Sequence, residues 1–135
     1  MGMKFGKLFT LAFVFLFALD FSWAAFIAHD FYAGQLGALI STHPIVAPLV
    51  AFYVIYAIAI AHFVLKPAFA HGSSKHMLKD AALLGLTAYG TYDLINYGLT
   101  PGWPAAVTFV DIAWGIVVTM LVSWLAYNVA KKWKK

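Results

Sequence analysis

Four apolar runs of about twenty residues each, parted by short mixed or lysine-bearing stretches, leave this chain few ways to fold. They fall at roughly 8–28, 45–65, 80–99 and 105–129 of the 135 residues. A run of that length crosses a bilayer as a helix, because a helix satisfies its own backbone N–H and C=O groups where no water can. The expected architecture is all-α: a polytopic membrane protein forming one domain over 1–135, a bundle of four transmembrane helices with a short interfacial segment after the first.

Composition agrees. Apolar residues make up 64% of the chain and charged ones 10%, against about 45–50% and about 25% in soluble domains. The lipid bilayer is thus the first expected partner. All nine basic residues are Lys and all five acidic ones are Asp. The lysines cluster at the ends of apolar runs and form no arginine-rich stripe, which argues against nucleic-acid binding. The absence of Cys removes disulfides, thiol nucleophiles and thiolate metal sites.

The first run follows Lys4 and Lys7. It also resembles a secretory leader, with small residues at Ala25 and Ala28, but Asp20 inside the apolar stretch counts against that. From His29 to His43 polar and apolar residues mix, and Phe31, Leu36, Leu39 and Ile40 recur at loosely helical spacing, as in an interfacial helix. Pro44 and Pro48 suit the start of the second helix. Lys66–Lys79, with Pro67, Gly72, Ser73 and Ser74, reads as a solvated loop, and Thr100-Pro101-Gly102-Trp103-Pro104 as a tight turn. The termini and the 66–79 stretch hold every lysine, so both termini are expected on the cytoplasmic side.

Against this background three carboxylates lie within apolar runs, and an ionisable group at membrane depth is expensive enough to mark a functional site. At ~1.5 Å per residue, Asp20 lies ~20 Å in from Lys7 and Asp93 ~21 Å in from Lys79, while Asp111 is ~10 Å below the opposite surface. In a hydrocarbon core of ~30 Å all three share one layer. On a helix Asp93 shares a face with Tyr89, Asn96 and Tyr97, and Tyr92 lies nearby. Thr108, Asp111 and Gly115 line one face of the fourth helix, the glycine allowing close approach of a neighbour. Trp23 follows Asp20 by one turn, as Trp114 follows Asp111, and Tyr53 and Tyr56 enter the same layer from the second helix.

The plainer alternative is that such groups only bond helices together, at about 0.6 to 2 kcal/mol per contact. Three acids exceed what adhesion needs. His29 with Asp30 is the best candidate for a metal, yet no His-x₃-His pair supplies two ligands on one helix face, so no metal site is expected. Neither a Ser-His-Asp arrangement, a phosphate loop nor a dinucleotide fingerprint occurs, and no cofactor is expected. Four lysines around Trp133 at the end of the chain fit general topology or an anionic-lipid anchor.

Together these motifs resemble a bacterial four-helix membrane family known as domain of unknown function 2177. The resemblance rests on Asp20 with Trp23, Phe31-Tyr32 with Gly37, and Phe52-Tyr53-Val54-Ile55-Tyr56. It continues through Tyr89-Gly90-Thr91-Tyr92-Asp93-Leu94 with Asn96, and Gly102-Trp103-Pro104 followed by Thr108, Asp111, Trp114 and Gly115. Where members commonly read Thr-Tyr-Asp-Leu-Thr-Asn, this chain has Ile95 for the second Thr, which removes a hydroxyl beside the acid. The resemblance implies a bacterial inner-membrane protein with the same four spans and carries no activity with it.

The expected site is an acidic pocket that binds or moves a cation, a proton or an amine-bearing small molecule. Its residues are Asp20, Trp23, Tyr53, Tyr56, Tyr89, Tyr92, Asp93, Asn96, Thr108, Asp111 and Trp114, with Asp93 the central acceptor. One rival is an enzyme using the same acids on a lipid or isoprenoid, one Asp as general acid and another stabilising developing positive charge. Another is an accessory subunit of a larger membrane complex, and a carrier this small would be expected to form a homo-oligomer.

Because the chain has no native Cys, its sidedness is directly testable. Gln35→Cys and Gly102→Cys should react with an impermeant maleimide in intact cells, and Ser73→Cys only after permeabilisation. Labelling of Ser73→Cys in intact cells would reverse the orientation.

Overall fold

The computed structural model describes residues 3–134; Met1, Gly2 and Lys135, the last of the terminal lysines, lie outside them. Helix α1 (Phe5–Ser22) runs into a π-helical turn (Trp23–Ile27), and the interfacial segment forms α2 (His29–Leu36), ending in a 3₁₀ turn (Gly37–Leu39). Helix α3 (Val46–Ala59) continues through a second π turn (Ile60–Leu65) into α4 (Lys66–His71). The last two helices are α5 (Ser74–Leu99) and α6 (Ala105–Lys132).

Three of these rods, Phe5–Ile27, Val46–His71 and Ala105–Lys132, are long and apolar enough to cross a membrane. Helix α5 has 26 residues, or ~39 Å of rise, and packs most extensively against α6. It is more polar than the other three because it begins at Lys75, Lys79 and Asp80 and carries Asp93 and Asn96 farther on. The structure is thus a helical membrane bundle in which α5 completes the four-membered packing.

The stretch 66–79 is not the expected loop. Helix continues to His71, stops at Gly72 with φ 67°, and restarts after Ser73, whose hydroxyl accepts the His76 N–H at 3.3 Å. Pro67 sits in the first turn of α4, just past the π turn, where a missing N–H interrupts little of the ladder. The side chains of Lys66, His71, Lys75 and His76 are nonetheless exposed, so the solvated composition describes a face and not a coil.

The core lies at the end where α1 begins and α6 finishes. There Leu8, Ala12 and Leu16 meet Ile60, Ala61, Val64 and Leu65, with Met77, Ala81, Val122 and Ala126 closing the layer, and none is more than 1% exposed. The Lys7 ammonium stands 6.0 Å from the Trp133 ring and that of Lys134 4.8 Å from Phe69, so the described lysines of α1, α4 and α6 gather around one end of the bundle. Toward the other end the helices part. There α3 packs along α1 but makes no extended contact with α5, and the gap is bridged by the rings of Phe52, Tyr56 and Tyr89.

Helices α5 and α6 touch through glycine. A Cβ on Gly85 would meet the backbone of Gly115 and stand 2.9 Å from Thr119 Oγ1, and one on Gly115 would stand 2.6 Å from Tyr89 Cβ. Gly115→Ala should therefore displace Tyr89 and lower stability by about 1–3 kcal/mol, the usual effect of overpacking. Thermal unfolding in detergent measures it, with Gly98→Ala, which meets nothing within 4 Å, as the control.

Candidate functional site

Where the helices part they enclose a half-open cavity of about 800 Å³. Its lining draws on every long helix and on α2: Asp20 from α1 and Trp23 from the π turn after it, Tyr32 and Leu36 from α2, Leu49 and Phe52 from α3, Tyr89, Tyr92 and Asp93 from α5, and Val107 and Asp111 from α6. All three carboxylates expected in one layer thus face one space. Their surroundings differ sharply.

Asp20 is the most fully bonded. One oxygen accepts Trp114 Nε1–H at 2.9 Å and Tyr89 O–H at 3.3 Å, and the other accepts Tyr53 O–H at 2.7 Å. These donors come from α6, α5 and α3, so a single carboxylate on α1 ties the other three long helices to its own. Neutral donors converging in this way hold an anion without an opposite charge nearby.

Asp111 has one donor, Tyr32 O–H at 2.8 Å, and the same Tyr32 oxygen accepts Trp23 Nε1–H at 3.1 Å. Burial pushes the Tyr32 hydroxyl above the ordinary phenol range, which keeps its proton available to Asp111. Trp23 in turn stacks on Trp114, with ring centroids 4.4 Å apart and planes within 8°. The two indoles form a parallel pair, one donating toward Asp20 and the other, through Tyr32, toward Asp111. Trp23 opens the π turn, where Ala28 N–H reaches back to Trp23 O at 2.7 Å; that wider turn leads directly into α2.

Asp93 is different again. It is 0% exposed, and neither carboxylate oxygen has a hydrogen-bond partner. Asp111 is the acid beside it, and two carboxyl groups so placed can share one proton. A buried polar group without partners costs several kcal/mol, and a charged one more. Asp93 therefore takes a proton shared with Asp111, or a donor or positive charge that no other side chain nearby supplies.

The other expected residues divide. Tyr89 and Tyr92 line the cavity, whereas Tyr53 reaches it only through Asp20. Trp23 forms part of the wall, and Trp114, one turn after Asp111 on α6, donates instead to Asp20 on α1. Tyr56 points the other way: its hydroxyl donates to Thr119 Oγ1 at 2.6 Å, since that threonine spends its own proton on Gly115 O. Asn96 lies outside the lining and closes its own helix, donating to Tyr92 O and accepting from Thr100 Oγ1, both at 2.9 Å. Thr108 is also outside; it is buried and accepts Trp103 Nε1–H at 3.1 Å, pinning the turn.

Sequence reasoning left out Tyr32, Trp103 and His29, which all line the cavity. Tyr32 carried a signal in the Phe31-Tyr32 motif, but its contact with Asp111 spans 79 positions and has no local periodicity to reveal it. His29 forms a second, exposed edge of the lining, paired with Asp30 at 3.2 Å.

Comparison with known proteins gives a family. The model for the family described as Predicted membrane protein (DUF2177) matches residues 5–128, and the chain belongs to it. No curated protein and no solved structure matches.

The contrast between the acids has a measurable consequence. Asp20→Asn exchanges an acceptor for a group with two donor hydrogens facing three donors, and should lower stability by about 1–3 kcal/mol. Asp93→Asn removes an uncompensated buried carboxylate and should leave stability unchanged or raise it. Unfolding of the two purified variants by denaturant decides, and equal destabilisation would make Asp93 a structural member like Asp20.

Proposed function

We propose that this DUF2177 protein binds a protonated, amine-bearing small molecule in its acidic cavity, with Asp93 as the primary acceptor. The observation that carries this is the pair of unpartnered Asp93 oxygens at zero exposure beside Asp111. An ammonium group brings both things that position needs, positive charge and several N–H donors. The rings of Trp23, Tyr89 and Tyr92 give the same cation aromatic faces to lie against.

A bare metal ion fits less well. Asp20 spends its oxygens on three donors and Asp111 gives one oxygen to Tyr32, so the carboxylates do not converge as the six or so oxygens of a hard-cation site do. Asp111 is placed to share the ligand with Asp93, and Asp20 to hold the aromatic wall. With the lysine-bearing end cytoplasmic, as the positive-inside rule favours, the cavity opens toward the outer half of a bacterial inner membrane.

In detergent or nanodiscs, n-butylamine at a hundredfold excess over its dissociation constant should stabilise the wild type by about 2.7 kcal/mol. Asp93→Asn should show no such shift, and Asp30→Asn, altered at an exposed acid, should keep it. Equal stabilisation of Asp93→Asn, or of the wild type by neutral n-butanol, would refute the amine site.

A further inference from the structure

We infer that the occupant is a single-tailed amphiphilic amine that enters sideways from the bilayer, between α3 and α5. This rests on the amine site and specifies its ligand class and its route. A cavity of about 800 Å³ is far larger than an ammonium group requires and lies in the range that holds drug-sized molecules. Beyond the acids, the tyrosines and His29 at one edge its walls are largely apolar, with Leu36, Ile40, Leu49 and Phe52 among them. Such a lining suits a hydrocarbon tail attached to a cationic head.

The route follows from exposure. Asp93 at the floor is 0% exposed, whereas Leu49 on α3 and Tyr92 on α5 are 51% and 57% exposed while lining the same cavity. These two residues mark an opening apart from the His29 edge, in the gap where α3 and α5 lack extended contact. With Phe52 also 40% exposed there, that opening lies between two bundle helices and faces lipid, not water. Asp93 precedes the end of α5 at Leu99 by ~9 Å of helix rise, a depth that a headgroup reaches while its tail lies between the helices.

The experiment compares n-butylamine with n-dodecylamine and with a diazirine-bearing dodecylamine, on the full chain in nanodiscs. Butylamine should displace dodecylamine, and photolabelling should map to Leu49, Phe52 and their neighbours across the gap on α5. Leu49→Trp, which narrows the opening at an exposed position, should weaken dodecylamine about tenfold and leave butylamine within about twofold. Phe109→Trp, at an exposed apolar position of α6 outside the lining, should weaken neither and shows that the tryptophan acts at the opening. If butylamine binds through Asp93 while dodecylamine fails to compete, labels another surface, or responds to Leu49→Trp no more than butylamine does, the sideways entry is wrong and the amine site stands. If neither amine binds, both fall together.

Discussion

The hydrogen bonds received by Asp20 set the geometry on which the rest of the cavity end of the bundle depends. Helices in lipid gain no hydrophobic energy from touching, so their arrangement is fixed by close packing and by the few polar groups that must find partners. Asp20 finds three, one from each of the other long helices. That fixes Tyr89 and Trp114, and Trp114 carries Trp23 with it through a 4.4 Å stack. Tyr32, and with it α2, is then bound to Asp111 through the same aromatic pair.

Three acids of one residue type, lining one cavity, therefore reach three different states. Asp20 is saturated, Asp111 holds one donor, and Asp93 holds none. The order follows the supply of aromatic hydroxyl and indole groups, which the fold aims almost wholly at the first two. The imbalance leaves Asp93 dependent on Asp111, or on something outside the chain, for its partners.

Much of this was legible in the sequence, for reasons that also mark where legibility ends. Runs of apolar residues and the lysine asymmetry are local properties, and they gave the helices and the gathering of lysines at one end. The shared depth of Asp20, Asp93 and Asp111 needs only the rise of a helix, and the three do face one cavity. The close approach at Gly115 was likewise readable, since a missing side chain opposite a bulky one needs no knowledge of topology. Which way a side chain turns is another matter. Asn96 shares a helical face with Asp93 yet bonds within its own helix, because its amide reaches back to the Tyr92 carbonyl four residues before and its oxygen takes the Thr100 hydroxyl. Tyr56 belongs to the same tyrosine motif as Tyr53, but one turn of a helix separates a group aimed at Asp20 from one aimed at Thr119. Lysine and histidine between 66 and 79 suggested coil because composition reports exposure, and an exposed helical face has the composition of a loop.

The closed half of the bundle has a consequence of its own. Its seam is built from Ala12, Ala57, Ala61, Ala81 and Ala126 against Leu16, Val64 and Val122, all without solvent exposure. Alanine has no rotamers to swing aside, so this seam cannot be breached by side-chain motion; whole helices would have to shift. In this conformation the cavity is a cul-de-sac, open where the helices part and sealed at the other end of the bundle. A path through the length of the bundle would need that seam to repack, helix against helix.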